Sequence, residues 1–216
     1  MNKLILLLLI SNPLFAQQVS TIDLYDLQKQ QKLTVLNREI ELVSENKHRF
    51  IRLSEKSGVE GLVWIPAADF KNGVIELKMR GKDVLQKSFI GIAFHALNDS
   101  TYDAVYCRPF NFLAKDSVRK LHAIQYISHP TFTWKKLREE KNGMYEKEII
   151  APPDPNDWFT LKVVVANNLV KAFINESDQP SLTVEKLSGN QNGKIGIFVG
   201  SGSGGDFESV SIQHKK

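Results

Sequence analysis

Three side chains in one short stretch, Tyr102, Tyr106 and Arg108, have the chemistry to hold a flat ligand rich in hydroxyl groups. Residues two apart in an extended strand point to the same face, so these three share a face, while Val105 and Cys107 point the other way. A tyrosine ring combines apolar area for stacking with a polar tip, and a guanidinium group donates planar hydrogen bonds. The stretch therefore predicts a shallow binding surface on one face of a sheet.

A histidine is predicted to join this surface from the preceding strand. Residues 88–95 alternate in the same way, and the polar turn at residues 98–100 predicts that the two runs form an antiparallel hairpin. Counting along the first run places His95 on the face of Tyr106, where an imidazole could take part in proton transfer. The opposite face of this run is predicted to be core, since it holds Ile90, Ile92 and Phe94.

Two further residues, Gln125 and Trp134, are candidate ligand contacts. Gln125 could hydrogen-bond to hydroxyl groups, and Trp134 could stack on a ring, as could Tyr102 and Tyr106. The alternative is structural, because each aromatic residue could simply pack under a loop. Arg108 could likewise bind the ligand or fix a loop by pairing with an acidic neighbour. The sequence leaves both interpretations open.

Carboxylates near these residues would supply acid chemistry if the ligand contained a glycosidic bond. Hydrolysis of such a bond uses a carboxylic acid that protonates the leaving oxygen and a second carboxylate on the other side. Only Glu146 and Glu148 have the two-residue spacing that puts such a pair on one face of a strand. We expect Glu146 or Asp103 to be the acid if a bond is broken. Glu139 and Glu140 are predicted to lie on a surface helix.

The elements that position these residues are predicted to be short strands separated by turn residues. In addition to the hairpin, strands are predicted at residues 39–43, 49–53, 61–65, 73–80, 120–127, 158–166, 169–175, 182–186, 194–199 and 207–212. Residues 17–35 are predicted to hold a strand and an irregular segment. One short surface helix is predicted between a capping Thr133 and Asn142-Gly143. Many short strands with almost no helix predict an all-β, two-sheet antiparallel jelly-roll sandwich.

Length and composition indicate one exported domain. Residues 1–16 combine a basic start, an apolar run and a small-residue end, which predicts a secretory signal peptide. Residues 17–216 are then expected to form a single domain that is periplasmic or secreted. The apolar run is too short to span a bilayer, so no integral membrane segment is expected after cleavage.

Charge, cysteine and histidine content narrow the expected partners. The formal net charge is +4, with basic and acidic residues interleaved, and such mild basicity does not indicate nucleic acid. The one cysteine, Cys107, leaves no intrachain disulfide and is expected to be a buried, inert thiol. His95, His122 and His129 match no metal-binding spacing, so no metal site is expected from them. We expect a monomer.

The succession of strands in the last third of the chain resembles a known superfamily. It includes Trp158-Phe-Thr-Leu-Lys-Val-Val-Val, Gly193-Lys-Ile-Gly-Ile-Phe-Val-Gly and Phe207-Glu-Ser-Val-Ser-Ile. These runs resemble the closing strands of concanavalin A-like lectin/glucanase domains, and within them most nearly the 3-keto-disaccharide hydrolase and laminin-G-like jelly-roll domains. The resemblance covers roughly the whole chain after residue 16 and implies a concave sheet that binds sugars.

The resemblance implies a carbohydrate ligand but no particular activity, because this fold serves both lectins and hydrolases. The Glu-X-Asp-X-Glu strand motif of family 16 glucanases is absent, which disfavours a glucanase of that family. Similarity to the 3-keto-disaccharide hydrolases keeps hydrolysis of a glycosidic bond as one interpretation. A non-catalytic lectin-like module and a structural or protein-interaction domain are the alternatives. No cofactor is expected, except that structural calcium occurs in the superfamily and Asp154 and Asp157 would be its ligands here.

Overall fold

The computed structural model describes residues 19–66 and 69–215, which form two antiparallel sheets, sheet A and sheet B. Sheet A contains β1 (Ser20–Asp23), β3 (Ile40–Glu45), β4 (His48–Leu53), β6 (Gly73–Arg80), β11 (Trp158–Ala166), β12 (Leu169–Ile174), β13 (Leu182–Glu185) and β15 (Gly205–His214). Sheet B contains β2 (Thr34–Leu36), β5 (Gly61–Trp64), β7 (Ile90–Asn98), β8 (Thr101–Cys107), β9 (Ile124–His129), β10 (Glu146–Lys147) and β14 (Lys194–Val199). The short helical segments are α1 (Leu24–Lys29), the 3-10 turn η1 (Pro109–Asn111), α2 (Ser117–Leu121) and α3 (Trp134–Glu140). The predicted signal peptide, residues 1–16, lies outside the described residues.

The two sheets stack face to face around one core. Sheet A has the strand order β13-β12-β11-β6-β15-β4-β3, with β1 also paired to β15, and sheet B has the order β10-β9-β8-β7-β14-β5-β2. Apolar side chains from the facing surfaces of both sheets form a single buried cluster. The all-β jelly-roll sandwich predicted from the sequence is confirmed.

The sheets differ in the face that points away from the core, which we call the outer face. On β6 the residues alternate between buried and partly exposed, with Ile75, Leu77 and Met79 inside, so sheet A presents an outer face to water. On β8 and β9 nearly every residue is buried, on both faces. The outer face of sheet B is therefore covered by other parts of the chain, and it can form an enclosed site.

One row of paired residues crosses the outer face of sheet B. From β14 to β10 its members face one another in register: Phe198, Gly91, Tyr106, Gln125 and Glu146. We call these five residues the central row. Because paired residues on antiparallel strands lie on the same face, the row brings aromatic, amide and carboxylate groups from five strands into one line.

Gly91 lets the aromatic members of the central row meet. With no side chain between them, the rings of Tyr106 and Phe198 approach to 5.1 Å between centroids at an angle of 38°. A Cβ atom on Gly91 would lie 2.1 Å from the carbonyl oxygen of Val105 and 2.7 Å from Tyr106 Cβ. Both separations are far inside van der Waals contact, so only glycine fits at this position.

Two segments differ from the sequence-based prediction. Residues 120–127 are not one strand, because Asp116 caps α2 by accepting a hydrogen bond from the backbone nitrogen of Arg119 at 2.8 Å, and β9 begins only after this helix. Within residues 17–35, the segment expected to be irregular contains α1, which Asp23 caps in the same way. Both helices are short, and their caps are single aspartates, which also occur in turns.

Cys107 lies in the core with none of its surface exposed. Burial in apolar surroundings raises the pKa of its thiol, so the nucleophilic thiolate form is disfavoured there. Across residues 19–66 and 69–215, no helix has both the length and the apolar character needed to cross a bilayer.

Replacing Gly91 by alanine should destabilise the protein. The added methyl group would overlap the Val105 carbonyl and the Tyr106 side chain, and overpacking of this kind costs about 1–3 kcal/mol or more in the free energy of unfolding. Urea denaturation measures the change, with Gly189→Ala as the control, because a Cβ atom on the exposed Gly189 would have no heavy atom within 4 Å. Equal unfolding midpoints for the two variants would contradict this account of the central row.

Candidate ligand-binding cleft

A cleft of about 530 Å³ opens on the outer face of sheet B. Tyr106 and Phe198 of the central row form its floor together with Ile127. Trp134 and Arg138 of α3 line it as well. The remaining walls are loop residues, including Glu60 and the segments around Leu85 and Gly202.

Arg108 lines the cleft but is almost fully buried, and hydrogen bonds fix it in the sheet. Its Nη2 donates to the hydroxyl of Tyr106 at 2.8 Å and to the Gln125 amide oxygen, and its Nη1 donates to the backbone oxygen of His122 at 2.7 Å. The guanidinium carbon lies 4.9 Å from the centre of the Tyr106 ring. Burial lowers the pKa of Arg108 from its ordinary value and raises the pKa of Tyr106 to about 12. The arginine still carries its charge at neutral pH, because the ordinary pKa of a guanidinium group lies far above neutrality.

Glu146 supplies the negative charge that faces Arg108 and Arg138 at this end of the cleft. It is 2 % exposed, and it accepts hydrogen bonds from Arg138 Nε at 3.2 Å and Arg138 Nη2 at 2.9 Å. Arg108 Nη1 lies 3.7 Å from Glu146 Oε2, and His122 Nδ1 lies 2.7 Å from the same oxygen, off-axis for a hydrogen bond. We call Arg108, Arg138, Glu146, His122 and Gln125 the arginine cluster. Burial lowers the pKa of His122 more than the nearby carboxylate raises it.

A different polar group, Glu60, lines the cleft elsewhere. Glu60 Oε2 accepts a hydrogen bond from the Tyr102 hydroxyl at 2.7 Å, and His129 Nε2 lies 3.6 Å from the same oxygen. The rings of Tyr102 and His129 stack in parallel at 5.0 Å, which fixes both side chains. Burial raises the pKa of Tyr102, so its hydroxyl stays protonated and donates to the carboxylate.

Trp134 is the aromatic residue that the cleft presents to solvent. Its exposed fraction is 45 %, whereas Tyr106 below it is only 3 % exposed. Thr133 caps α3 by accepting from the backbone nitrogen of Lys136 at 3.4 Å, and Trp134 is the first residue of the helix. Arg138 follows one turn later, with its guanidinium carbon 5.4 Å from the centre of a Trp134 ring. The arrangement offers a ligand one exposed aromatic face beside a half-exposed cation.

Comparison with known proteins rests on structure, because no family model and no curated protein matches the sequence. A Bacillus subtilis protein with a galectin-like fold superposes with a TM-score of 0.59 at 12% identity, covering 90% of this chain and 94% of that one. The carbohydrate-binding module CBM66 from Bacillus subtilis gives 0.53 at 13% identity, covering 84% and 92%. A native glycosidic hydrolase gives 0.54 at 12% identity, covering 93% and 98%.

The chain has the concanavalin A-like jelly-roll fold. Both the strand order and these superpositions support that assignment over most of the chain. At 12% or 13% identity the likeness concerns the backbone alone, and one fold carries many functions. The residues of the cleft therefore have to be judged by their own geometry.

Most of the residues singled out from the sequence lie on the outer face of this concanavalin A-like sandwich. Strand alternation predicts that face for Tyr102, Tyr106 and Arg108. The pairing of β8 shows it for the two tyrosines, and the hydrogen bonds of Arg108 to Tyr106 and Gln125 show it for the arginine. Gln125 and Glu146 join them through the central row. Trp134 stands at the cleft on α3 rather than on a strand.

His95 and Asp103 lie elsewhere, and the expectation that they belong to the cleft is wrong. The pairing of β7 with β8 shifts between Phe94 and Asn98, and His95 adopts a φ of 49°, so the alternation of side chains breaks there. Asp103 pairs with Phe94 and faces sheet A, where it accepts from the hydroxyl of Tyr126 at 2.7 Å.

These two residues belong to a buried polar group between the sheets. His95 Nδ1 lies 3.1 Å from Lys186 Nζ and 3.9 Å from Asp103 Oδ2, and His95 Nε2 contacts the Lys71 carbonyl at 2.8 Å. Ser188 donates its hydroxyl proton to Asp103 at 2.5 Å. Desolvation is the main reason why the pKa of His95 is lowered.

The residues considered for metal binding do not meet. Asp154 and Asp157 each accept a backbone hydrogen bond in their own loop, at 2.8 Å from Asn156 and 2.7 Å from Trp158. Within the part of the chain that the structure describes, no group of three or more His, Cys, Asp or Glu side chains is placed to hold a metal ion.

Among the cleft residues not predicted from the sequence are Glu60, Arg138 and Phe198. Arg138 was part of a charged run that suits a solvated helix face, although its four-residue spacing from Trp134 would have placed both on one side of α3. Phe198 follows the same alternation as other strand residues, which does not distinguish a core face from a cleft floor. Glu60 lies in a polar loop that carries no signal for a site.

Replacing Glu146 by glutamine should lower the free energy of unfolding by about 3–5 kcal/mol, because it removes the counter-charge of buried Arg108 and of Arg138. Glu148→Gln, two residues along the chain, removes an exposed carboxylate and should change stability by no more than about 0.5 kcal/mol. Chemical denaturation measures the free energy of unfolding of both variants. Similar small losses in both would show that the arginine cluster does not depend on this charge.

Stability should fall as the solution is acidified from about pH 7 to pH 5. The pKa of His95 is lowered in the folded chain, so the unfolded chain, whose imidazole titrates near 6.5, takes up the proton first and acid favours unfolding. His95→Gln should make the free energy of unfolding less dependent on pH across this range. Urea titrations at several pH values test this. An unchanged slope in the variant would contradict the assignment, whatever its stability at high pH.

Proposed function

We propose that the protein binds a carbohydrate in the cleft on the outer face of sheet B. The observation that carries this proposal is the exposed Trp134 ring, which stands beside half-exposed Arg138 at a cleft with an aromatic floor. Sugars present an apolar ring face and a rim of hydroxyl groups. A site for them needs an aromatic surface and planar polar groups close together.

Stacking on Trp134 would supply the apolar part of the interaction. Its exposed fraction of 45 % means that a bound ring can remove considerable apolar surface from water. Tyr102 and Tyr106 are too deeply buried to act in this way, since they are 2 % and 3 % exposed. They support the floor instead, and the Tyr102 hydroxyl orients Glu60.

Polar groups on the walls suit pairs of hydroxyl groups. The Glu60 carboxylate, with 29 % of its side chain exposed, can accept from neighbouring hydroxyls, and Arg138, with 34 % exposed, can donate to them. Both groups are held by the protein before a ligand arrives, Glu60 by Tyr102 and Arg138 by Glu146. Such pre-organisation reduces the entropy lost on binding.

Hydrolysis of a glycosidic bond is the second candidate function, with Glu146 as the acid. Its position next to Arg138 at the cleft, and the fold shared with a glycosidic hydrolase, favour this alternative. Against it, both oxygens of Glu146 already accept hydrogen bonds from Arg138. Glu60 is the single carboxylate among the described residues that line the cleft, whereas the chemistry uses two. Binding without cleavage therefore has the stronger support.

The proposed setting is outside the cytoplasm, in the periplasm or the medium, and it rests on the composition of residues 1–16. A cleft that is concave and mixed in polarity suits a small ligand better than a flat protein partner. For this reason a protein-interaction role has less support than glycan binding.

Replacing Trp134 by alanine should weaken glycan binding by about ten-fold or more, because the stacking surface is lost. The measurement is a glycan array with the mature chain, followed by calorimetric titration of the best ligand. Met144→Ala is the matched control, since Met144 is 58 % exposed and lies outside the cleft lining. Equal affinity of the two variants, or no saturable binding to any glycan, would overturn the proposal. Sugar release from glycosides or 3-keto-glycosides, abolished in folded Glu146→Gln, would favour hydrolysis.

A further inference from the structure

We propose that the carbohydrate ligand carries a carboxylate, as a uronic acid does, and that Arg138 and the arginine cluster hold this group. The inference rests on the proposed function and names the ligand class for the same cleft. It follows from an excess of positive over negative charge, and of hydrogen-bond donors over acceptors, at one end of the cleft.

The arginine cluster contains more positive charge than negative. Arg108 and Arg138 both approach one carboxylate, that of Glu146, at 3.7 Å and 2.9 Å. His122, 2.7 Å from the same carboxylate, supplies no negative charge in either protonation state. The cluster therefore keeps one uncompensated guanidinium charge. Arg108 is 4 % exposed, and a positive charge in that setting is stabilised by an additional anion close by.

Hydrogen-bond donors are also in excess. Gln125 is fully buried, and its amide oxygen accepts from Tyr106 and Arg108, while its amide nitrogen has no partner among the described residues. Buried donors in folded proteins nearly always have an acceptor, so an unpaired one points to a missing group. Gln125 does not line the cleft, so its nitrogen reflects the excess of donors behind Arg138 and is not itself a ligand contact. A carboxylate offers two acceptor oxygens and no donor, which suits surroundings rich in donors.

Arg138 is the more exposed of the two arginines that line the cleft, since Arg108 is only 4 % exposed. Its Nε and Nη2 bind Glu146, and Nη1 makes neither of these bonds. The side chain is 34 % exposed and lines the cleft, beside the ring of Trp134. A sugar stacked on Trp134 would thus bring a carboxylate on its ring next to this guanidinium group. Arginine pairs with carboxylates through charge-assisted hydrogen bonds, which are stronger than those to neutral hydroxyls.

Other charges at the cleft do not cancel this preference. Lys87 is paired with Glu55 at 2.9 Å, and Lys82 shares the same carboxylate, so this group adds positive charge and does not oppose an anion. Glu60 is negative, but it accepts from Tyr102 and lies 3.6 Å from His129, in a group separate from the arginine cluster. A ligand with an acidic group would be repelled by Glu60 and attracted to Arg138. This difference would also fix its orientation in the cleft.

The test compares an acidic glycan with its neutral counterpart. The probes are oligosaccharides of galacturonate, glucuronate and mannuronate, together with the carboxyl-reduced form of each, titrated calorimetrically into the full-length mature protein. At least one acidic probe should bind about ten- to a hundred-fold more tightly than its reduced form. The preference should shrink as salt is added, because it is electrostatic.

Variants on α3 assign the effect to a residue. Arg138→Gln should weaken binding of both forms, because Arg138 also lines the cleft and pairs with Glu146, but the ratio of the affinities for the acidic and the reduced form should fall to about one. Lys135→Gln is the matched control, because it removes one charge from the same helix at a residue that is 69 % exposed and does not line the cleft. Should Arg138→Gln fail to fold, Arg138→Lys keeps the charge but loses the planar pair of donors, and it should show a reduced preference.

Several outcomes would overturn the inference. Equal or tighter binding of the reduced forms, or an acid preference that survives Arg138→Gln, would contradict it directly. Neutral glycans that bind through Trp134 while every acidic probe fails would overturn this inference and leave the proposed function standing. Failure of all glycans, neutral and acidic, would overturn both.

Discussion

The ion pair between Glu146 and Arg138 is the interaction on which the cleft depends. It joins β10, at the edge of sheet B, to α3, and no backbone pairing connects these two elements. Trp134 begins that same helix, so the pair also holds the exposed ring at the mouth of the cleft. The Glu146 carboxylate also stabilises the positive charge of buried Arg108, which lies 3.7 Å from it. One charged group thus fixes a wall, an aromatic surface and a buried cation.

Such a buried charge is tolerable only because the surrounding groups are themselves tied down. Arg108 shares its donors among Tyr106, Gln125 and the His122 carbonyl, and all three belong to or flank the central row. A network in which each bond orients the next is stiffer than the same groups taken singly. The floor of the cleft is therefore set before a ligand arrives, as is Arg138 of α3 through its bonds to Glu146.

The sequence predicts the fold better than the site, for a physical reason. The pattern of short strands between turn residues predicts the sandwich. The regular alternation of side chains along β8 predicts that Tyr102, Tyr106 and Arg108 share a face. Alternation fails where the backbone leaves the strand conformation. At His95 the φ is 49°, a conformation that only a few per cent of non-glycine residues adopt, so the sequence does not predict it at this position.

The missed site residues share a second cause, which is that their roles depend on pairing across the fold. Arg138 lies in a charged run typical of a solvated helix, and the turn after α3 brings Glu146, eight residues along the chain, beside it through the pairing of β10 with β9. Glu60 acquires a role because Tyr102, three strands away in sheet B, reaches it with its hydroxyl. Local patterns carry no information about such partners, so a single sequence cannot supply them.

Sheet B carries buried polar groups on both faces. Those on the inner face are met by protein partners, whereas those on the outer face are not all met. Inside the sandwich, Asp103 accepts from Tyr126 and Ser188, and Lys186 contacts His95 and the Asn190 carbonyl, so these charges are met by protein partners. On the outer face, the Gln125 amide nitrogen has no partner among the described residues, and two arginines share one carboxylate.

A closed network specifies a core, because every group in it is already satisfied. An open network with a reachable cation has capacity left for a ligand. Since β8 supplies Asp103 to the first and Tyr106 to the second, on opposite faces of one strand, the same backbone holds both in place. The cleft thereby gains a rigid support from a core that takes no part in binding.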